Sequence, residues 1–148
     1  MKRSVLLLSL LIFLCLATAA QSETNTHVAN IKNLTGSVSI VRDTVRLAAE
    51  LGQQLFSADT IISSADSSAG ILFTDGTSVS IGPASEVNIT NYLFQPNNNE
   101  YDFSLYMNRG SALYSNGKLG KLSPESVKIH TPRATVGVRG TRFIVKVD

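Results

Sequence analysis

From Gly36 to Val147 apolar and polar residues alternate with a period of two, the mark of strands with one face on a core and one in solvent. Ser37–Val41 reads as a strand, with Val45–Leu47 its partner across a turn at Arg42-Asp43-Thr44. Thr60–Ser63 is a short strand. Ala69–Thr74 and Ser78–Ile81 flank Asp75-Gly76, a pair that favours the positive φ angles of a tight hairpin, and Gly82-Pro83 closes the second strand. Glu86–Tyr92 alternates again, with Val87 and Ile89 on one face and Asn88 and Thr90 on the other, before an exposed loop at Gln95–Asn99. In Tyr101–Tyr106, Tyr101, Phe103 and Leu105 share one side. Arg109-Gly110 reads as a turn into Ser111–Tyr114, and Ser115–Pro124 as a loop. Val127–His130, Thr135–Val138 and Phe143–Val147 complete the set.

The best helical period is Leu47, Leu51 and Leu55 within Arg46–Phe56, but Gly52 interrupts it, and turn plus strand is the preferred reading. The pattern predicts an all-β fold: a sandwich, a roll or a short β-solenoid-like domain of about ten short strands.

The N-terminal end has a different pattern. Lys2 and Arg3 precede the apolar run Val5–Ala17, and Ala17-Thr18-Ala19-Ala20 supplies small residues ahead of polar Gln21-Ser22-Glu23-Thr24. Residues 1–20 are expected to be a signal peptide cut before Ala20 or Gln21, because the run is shorter than the ~20 residues of a membrane-spanning helix. The alternative is an uncleaved anchor over Val5–Ala20. Residues 21–35 are expected to be a flexible leader and residues 36–148 the β domain. The single cysteine, Cys15, follows bulky Leu14, which does not suit lipid attachment, and it would leave with the signal. The exported chain then has no disulfide, thiolate metal site or cysteine nucleophile. No stable membrane span is expected after cleavage, and the location is periplasmic or secreted.

The chain has 13 Lys and Arg against 11 Asp and Glu. Two of those bases, Lys2 and Arg3, belong to the signal, so the remainder balances. The distribution does not. Arg46 is the lone base from Asp43 to Asp102, whereas from Arg109 to Asp148 bases far outnumber Glu125 and Asp148. The expectation is that the two halves neutralise each other across a shared sheet; the alternative is one basic face. No stacking aromatics interleave the bases, so no nucleic-acid partner is expected.

Catalytic constellations are missing from the pattern. His27 lies in the leader, and His130 precedes Thr131-Pro132 at a strand end. There is no HExxH and no carboxylate–histidine cluster, and Ser80-Ile81-Gly82 is half of a Gly-x-Ser-x-Gly motif. Gly137-Val138-Arg139-Gly140 leads into a strand, not into a helix that would bind phosphate. No catalytic residue, metal or cofactor is expected, and the chain is read as not an enzyme. The residues that call for a role are Asp75, Gly76, Thr131, Pro132, Arg133, Gly137, Arg139, Gly140 and Thr141, as structural or partner contacts. Pro132 stiffens a corner. Arg139, between valine-rich runs, is expected to be paired with Asp75 or Asp59, or else to face a partner.

Ala69-Gly70-Ile71-Leu72-Phe73, then Asp75-Gly76-Thr77-Ser78-Val79, then the run from Thr131-Pro132-Arg133-Ala134 through Val138-Arg139-Gly140-Thr141-Arg142-Phe143 resemble the signature of FecR domains. Gly36-Ser37-Val38, Leu51-Gly52, Asp59-Thr60-Ile61 and Arg109-Gly110-Ser111 fall in that family's order. The resemblance implies an all-β extracytoplasmic module, in its founding members a periplasmic relay from an iron-siderophore transporter to a sigma factor. Those regulators carry a cytoplasmic segment and a membrane span. This chain, with an export signal only, is more similar to stand-alone exported FecR-domain proteins. The functional expectation is a non-enzymatic interaction or sensing module of the bacterial envelope, linked to signal transduction and docked on an unidentified envelope protein. The alternative is a small-ligand or glycan-binding domain with Tyr92, Phe94, Tyr101 and Tyr106 as an aromatic platform.

Overall fold

The computed structural model describes residues 26–148; the expected signal peptide and the first part of the leader lie outside them. The described residues form twelve strands: β1 (Ala29–Thr35), β2 (Val38–Arg42), β3 (Val45–Ala48), β4 (Gln54–Leu55), β5 (Thr60–Ser63), β6 (Ser68–Phe73), β7 (Ser78–Ile81), β8 (Glu86–Gln95), β9 (Glu100–Ser115), β10 (Val127–His130), β11 (Thr135–Gly137) and β12 (Arg142–Val147). One short helix, α1 (Lys118–Leu122), lies between β9 and β10. The strands make one curled, mainly antiparallel sheet, a half-barrel, so the all-β expectation holds and the roll is the architecture formed.

Consecutive strands run on as folded ribbons. β1–β2 lies antiparallel to β5–β6, from Ala29 opposite Phe73 to Val41 opposite Thr60. β5–β6 pairs with β7–β8 in the same way, and β7–β8 runs the length of β9, from Ser78 opposite Ser115 to Gln95 opposite Glu100. β3 and β4 add to the outer side of β2 and β1. The second edge of β9 takes β10 in parallel, Val127 opposite Phe103, and β12 antiparallel, Arg142 opposite Ser115. Each ribbon folds over at one place: Gly36-Ser37, Ser64–Ser67, Gly82–Ser85 and Gly110. Each bend holds a residue with positive φ, namely Gly36, Asp66, Ala84 and Gly110.

Serine side chains join these bends. The Ser67 hydroxyl accepts from Ser37 N at 2.9 Å. The Ser63 hydroxyl donates to Gly82 O at 2.6 Å and accepts from Ser85 N at 3.0 Å. The Ser85 hydroxyl accepts from Ser111 N at 3.0 Å. Ser63, Ser67 and Ser85 are buried. A backbone that turns inside a protein leaves groups the ladder cannot satisfy, and a small hydroxyl satisfies them with little volume. A Cβ on Gly110 would overlap Ser85, so the fold line closes there only around glycine.

The core lies between the two halves of the folded sheet: Ile31, Ile40, Ile61, Ile71, Val79, Ile81, Val87, Ile89, Phe103, Leu105, Met107 and Tyr114 are all at most 2 % exposed. Three extra residues reset which parity faces it. The register shifts at Lys32 in β1, at Thr90 in β8 and at Asn108 in β9. In β9 the inward set accordingly changes from Phe103, Leu105 and Met107 to Ala112 and Tyr114.

Several expectations are corrected here. Residues 29–35 are strand β1, not flexible leader, since Ala29 and Ile31 are fully buried against β6. Arg109-Gly110 is not a turn between strands but the bend inside one continuous β9. Ser115–Pro124 contains helix α1. The β6–β7 hairpin is wider than a two-residue turn. Gly76 N donates to Phe73 O at 3.0 Å and Phe73 N to Thr77 O at 2.8 Å, with positive φ at Gly76 (+88°) but not at Asp75. The Arg46–Phe56 stretch is strand and turn, as the interrupted period indicates.

Candidate functional site

The predicted site residues separate into two places with different physics. Asp75 is the hub of the first. It is 2 % exposed, and its carboxylate accepts four hydrogen bonds: from Thr77 N (3.2 Å) and the Tyr92 hydroxyl (3.0 Å) on Oδ1, and from the Thr77 hydroxyl (2.7 Å) and Leu119 N (2.9 Å) on Oδ2. Its own N–H donates to the Tyr92 oxygen, and its carbonyl accepts from Lys118 N. Asp75 in the β6–β7 turn therefore supplies, through its carbonyl and its carboxylate, acceptors for the first two N–H groups of α1, where no residue adjacent to the helix caps it. Gly117 has to be glycine here, since a Cβ would strike the Thr77 and Gly76 backbone. Burial raises Tyr92 far above the usual phenol range. Tyr114 is pushed up to about 12 by burial, which outweighs a Thr77 hydrogen bond, while the Asp75 charge adds to the rise.

Asp59 is the second buried acid, and Arg42 rather than Arg139 holds it. Arg42 Nε reaches Oδ1 at 2.8 Å and Nη2 reaches Oδ2 at 2.7 Å, while Phe56 N donates to Oδ2 at 2.9 Å. The guanidinium stacks 4.5 Å from the Phe56 ring centre. The Asp59 hydrogen bond keeps Arg42 above its ordinary pKa against the opposing pull of burial. Sequence reasoning passed over Arg42, assigning it only to a turn. Its signal was a base ending a strand a short distance before a buried-type Asp-Thr-Ile run.

The expected Arg139 pin is thus corrected. Both acids are saturated by other donors, and Arg139 is exposed. It lies in the second place, the arm made by β10, β11 and β12. At its tip the Thr131 hydroxyl accepts from Ala134 N at 3.0 Å and Thr131 N donates to Ala134 O at 2.8 Å, so Thr131-Pro132-Arg133-Ala134 is a self-closed turn with Pro132 and Arg133 exposed. His130 Nδ1 and the Thr135 hydroxyl are 2.9 Å apart across the hairpin. Gly137, Val138 and Arg139 line a shallow cleft of ≈470 Å³ with Pro124, Glu125, Val127, Lys128 and Thr135. Gly140 and Thr141 are exposed, and Thr141 O accepts from Asn116 N at 2.8 Å, tying the arm to the end of β9. Asp75-Gly76 and the Thr131–Thr141 run do not form one site: the first fastens the hairpin to α1, the second is a surface arm.

Of the bases on the arm, Lys146 alone is in an ion pair among the described residues. Three ion pairs form among the described residues: Arg42 with Asp59, Arg109 with Glu86 at 3.5 Å, and Lys146 with Asp148 at 3.9 Å, the last fully in solvent. Only Arg109–Glu86 joins the acidic stretch to the basic one by a direct ion pair. Among the described residues no group of three or more His, Cys, Asp or Glu could hold a metal, and no helix is long and apolar enough to cross a membrane. The four aromatics make no platform. Tyr92 packs on Phe73 and Phe103, Phe94 on Tyr101, and Tyr106 points the other way, 38 % exposed, by a polar hollow of ≈300 Å³ with Thr60, Glu86, Asn88 and Asn108.

Comparison with curated proteins and with solved structures gives no match. The family model described as FecR protein matches residues 59–148, from Asp59 through the Asp75 hub and the whole arm. This is more than half of the chain, which therefore belongs to the FecR family, a regulatory and signalling family.

Proposed function

We propose that this protein is an exported, non-enzymatic module of the bacterial envelope that docks another envelope protein and serves signal transduction. Family membership and the export signal read from residues 1–20 support the setting. The observation that carries the docking is the arm: β12 pairs only with β9 among the described residues, and its bases have no buried acid to answer them. A strand with one free edge offers a row of N–H and C=O groups to an incoming chain, and a row of side chains to select it.

The reading is tested by placing a photo-activated cross-linking side chain at position 144 on β12 and, separately, at position 45 on β3, in the native host. A discrete adduct with one envelope protein from position 144, absent from position 45, is expected. A folded, exported protein that gives no discrete adduct from position 144 overturns the docking.

A further inference from the structure

The partner's chemistry can be read from the free edge of β12. We infer that β12 receives an extended segment of a partner protein whose side chains alternate acidic, apolar, acidic; this rests on the docking reading above. Among the described residues β12 is the longest strand with a single pairing, six residues against four in β3 and three in β11. Its outward side chains are Arg142, Ile144 and Lys146, all exposed, while Phe143, Val145 and Val147 pack on the core side. Ile144, 70 % exposed, is the most exposed large apolar residue among the described residues, and it lies beside half-buried Leu113 on β9.

A basic, apolar, basic row next to unpaired hydrogen-bonding groups fits one complement best. An antiparallel segment would place an acid opposite Arg142, an apolar residue opposite Ile144 and an acid opposite Lys146. A second copy fits less well. Antiparallel pairing of two β12 edges about Ile144 brings Arg142 against Lys146, a like-charge contact. The β3 edge of another copy would bring Arg46 into the same basic surface. The neighbouring Ser78, Ser80, Ser111 and Ser115 share the outer face with short side chains that do not crowd an incoming strand.

The test uses a capped peptide with the core Glu-Thr-Val-Thr-Glu and its Lys-Thr-Val-Thr-Lys isomer, titrated into protein isolated from cells expressing the full chain. Backbone amide NMR shifts are the readout. The acidic peptide should shift amides of Arg142–Val147 and weaken about tenfold or more from low to high salt. In the double variant R142E/K146E the preference should invert, the lysine isomer binding and the acidic peptide not. That inversion also shows the variant is folded. Equal binding of the acidic peptide to both proteins, shifts centred on β3 or β11, or a dimer formed through β12 without peptide each overturn the inference. If no peptide binds while the adduct from position 144 still forms, the acidic chemistry falls and the docking function stands.

Discussion

Asp75 shows how a single carboxylate decides a local fold. Each of its oxygens faces two donors, so an amide in its place must turn an NH2 toward N–H and O–H groups in either orientation. Asp75→Asn should cost about 2–4 kcal/mol in urea unfolding, with little change in the slope, and the loss should appear with early exposure of α1. The two buried tyrosines give a pH signature. Both have folded-state pKa values above the ~10 of an unfolded chain. Below pH ~10 both states hold the proton and stability is intact. Above it the unfolded chain ionises first, so stability falls as pH rises toward the folded value of about 12 for Tyr114. The urea midpoint should drop over that window in the native protein and drop less in Tyr114→Phe. The hub was half legible in the sequence. Asp75-Gly76 announces a turn, but a bond to Leu119, 44 positions away, has no local mark. The Arg139 expectation failed for the same reason, since composition shows that an arginine needs an acid but not which acid is already filled.

Regular strands were legible where the period of two ran unbroken, as in β7 and in Tyr101–Tyr106 of β9. The errors fall where an added residue changes parity. Lys32 makes Ala29 and Ile31 odd and Leu34 even, so β1 shows no single alternation and passes for leader. Asn108 and Gly110 make one bent strand read as two. Helix α1 has no capping residue of its own and depends on Asp75, so its local sequence reads as loop. The ribbon bends belong to this scale too. The Ser63 hydroxyl satisfies Gly82 O and Ser85 N inside the fold, whereas Ser64 next to it is exposed. Ser63→Ala should lose about 1–3 kcal/mol in chemical denaturation, while Ser64→Ala stays within about 0.5 kcal/mol. Equal costs at both positions would remove the serine ladder as the device that holds the fold line.

At the scale of the molecule, the ribbons β1–β2, β5–β6, β7–β8 and β9 form a block with β3 and β4 on its outer side, and the arm hangs on its last strand. β9 is paired along both edges. β11 has β10 alone, and residues 138–141 join it to β12 with three of the four residues exposed. Local opening is cheapest where few apolar contacts and few shared hydrogen bonds must be given up. In native-state hydrogen exchange, amides of Phe103–Tyr114 should therefore exchange only through global unfolding. Those of Arg133–Thr141 should exchange through local opening at least ~100-fold faster, a gap that closes as denaturant approaches the midpoint. The Ala134 amide, bonded to the Thr131 hydroxyl, should be the slower exception within the tip. Uniform protection across both segments would mean that the arm is part of the block and not a limb on it. Under the proposed docking, a segment that opens without unfolding the core adjusts to a partner strand while the ribbons keep β12 in register on β9.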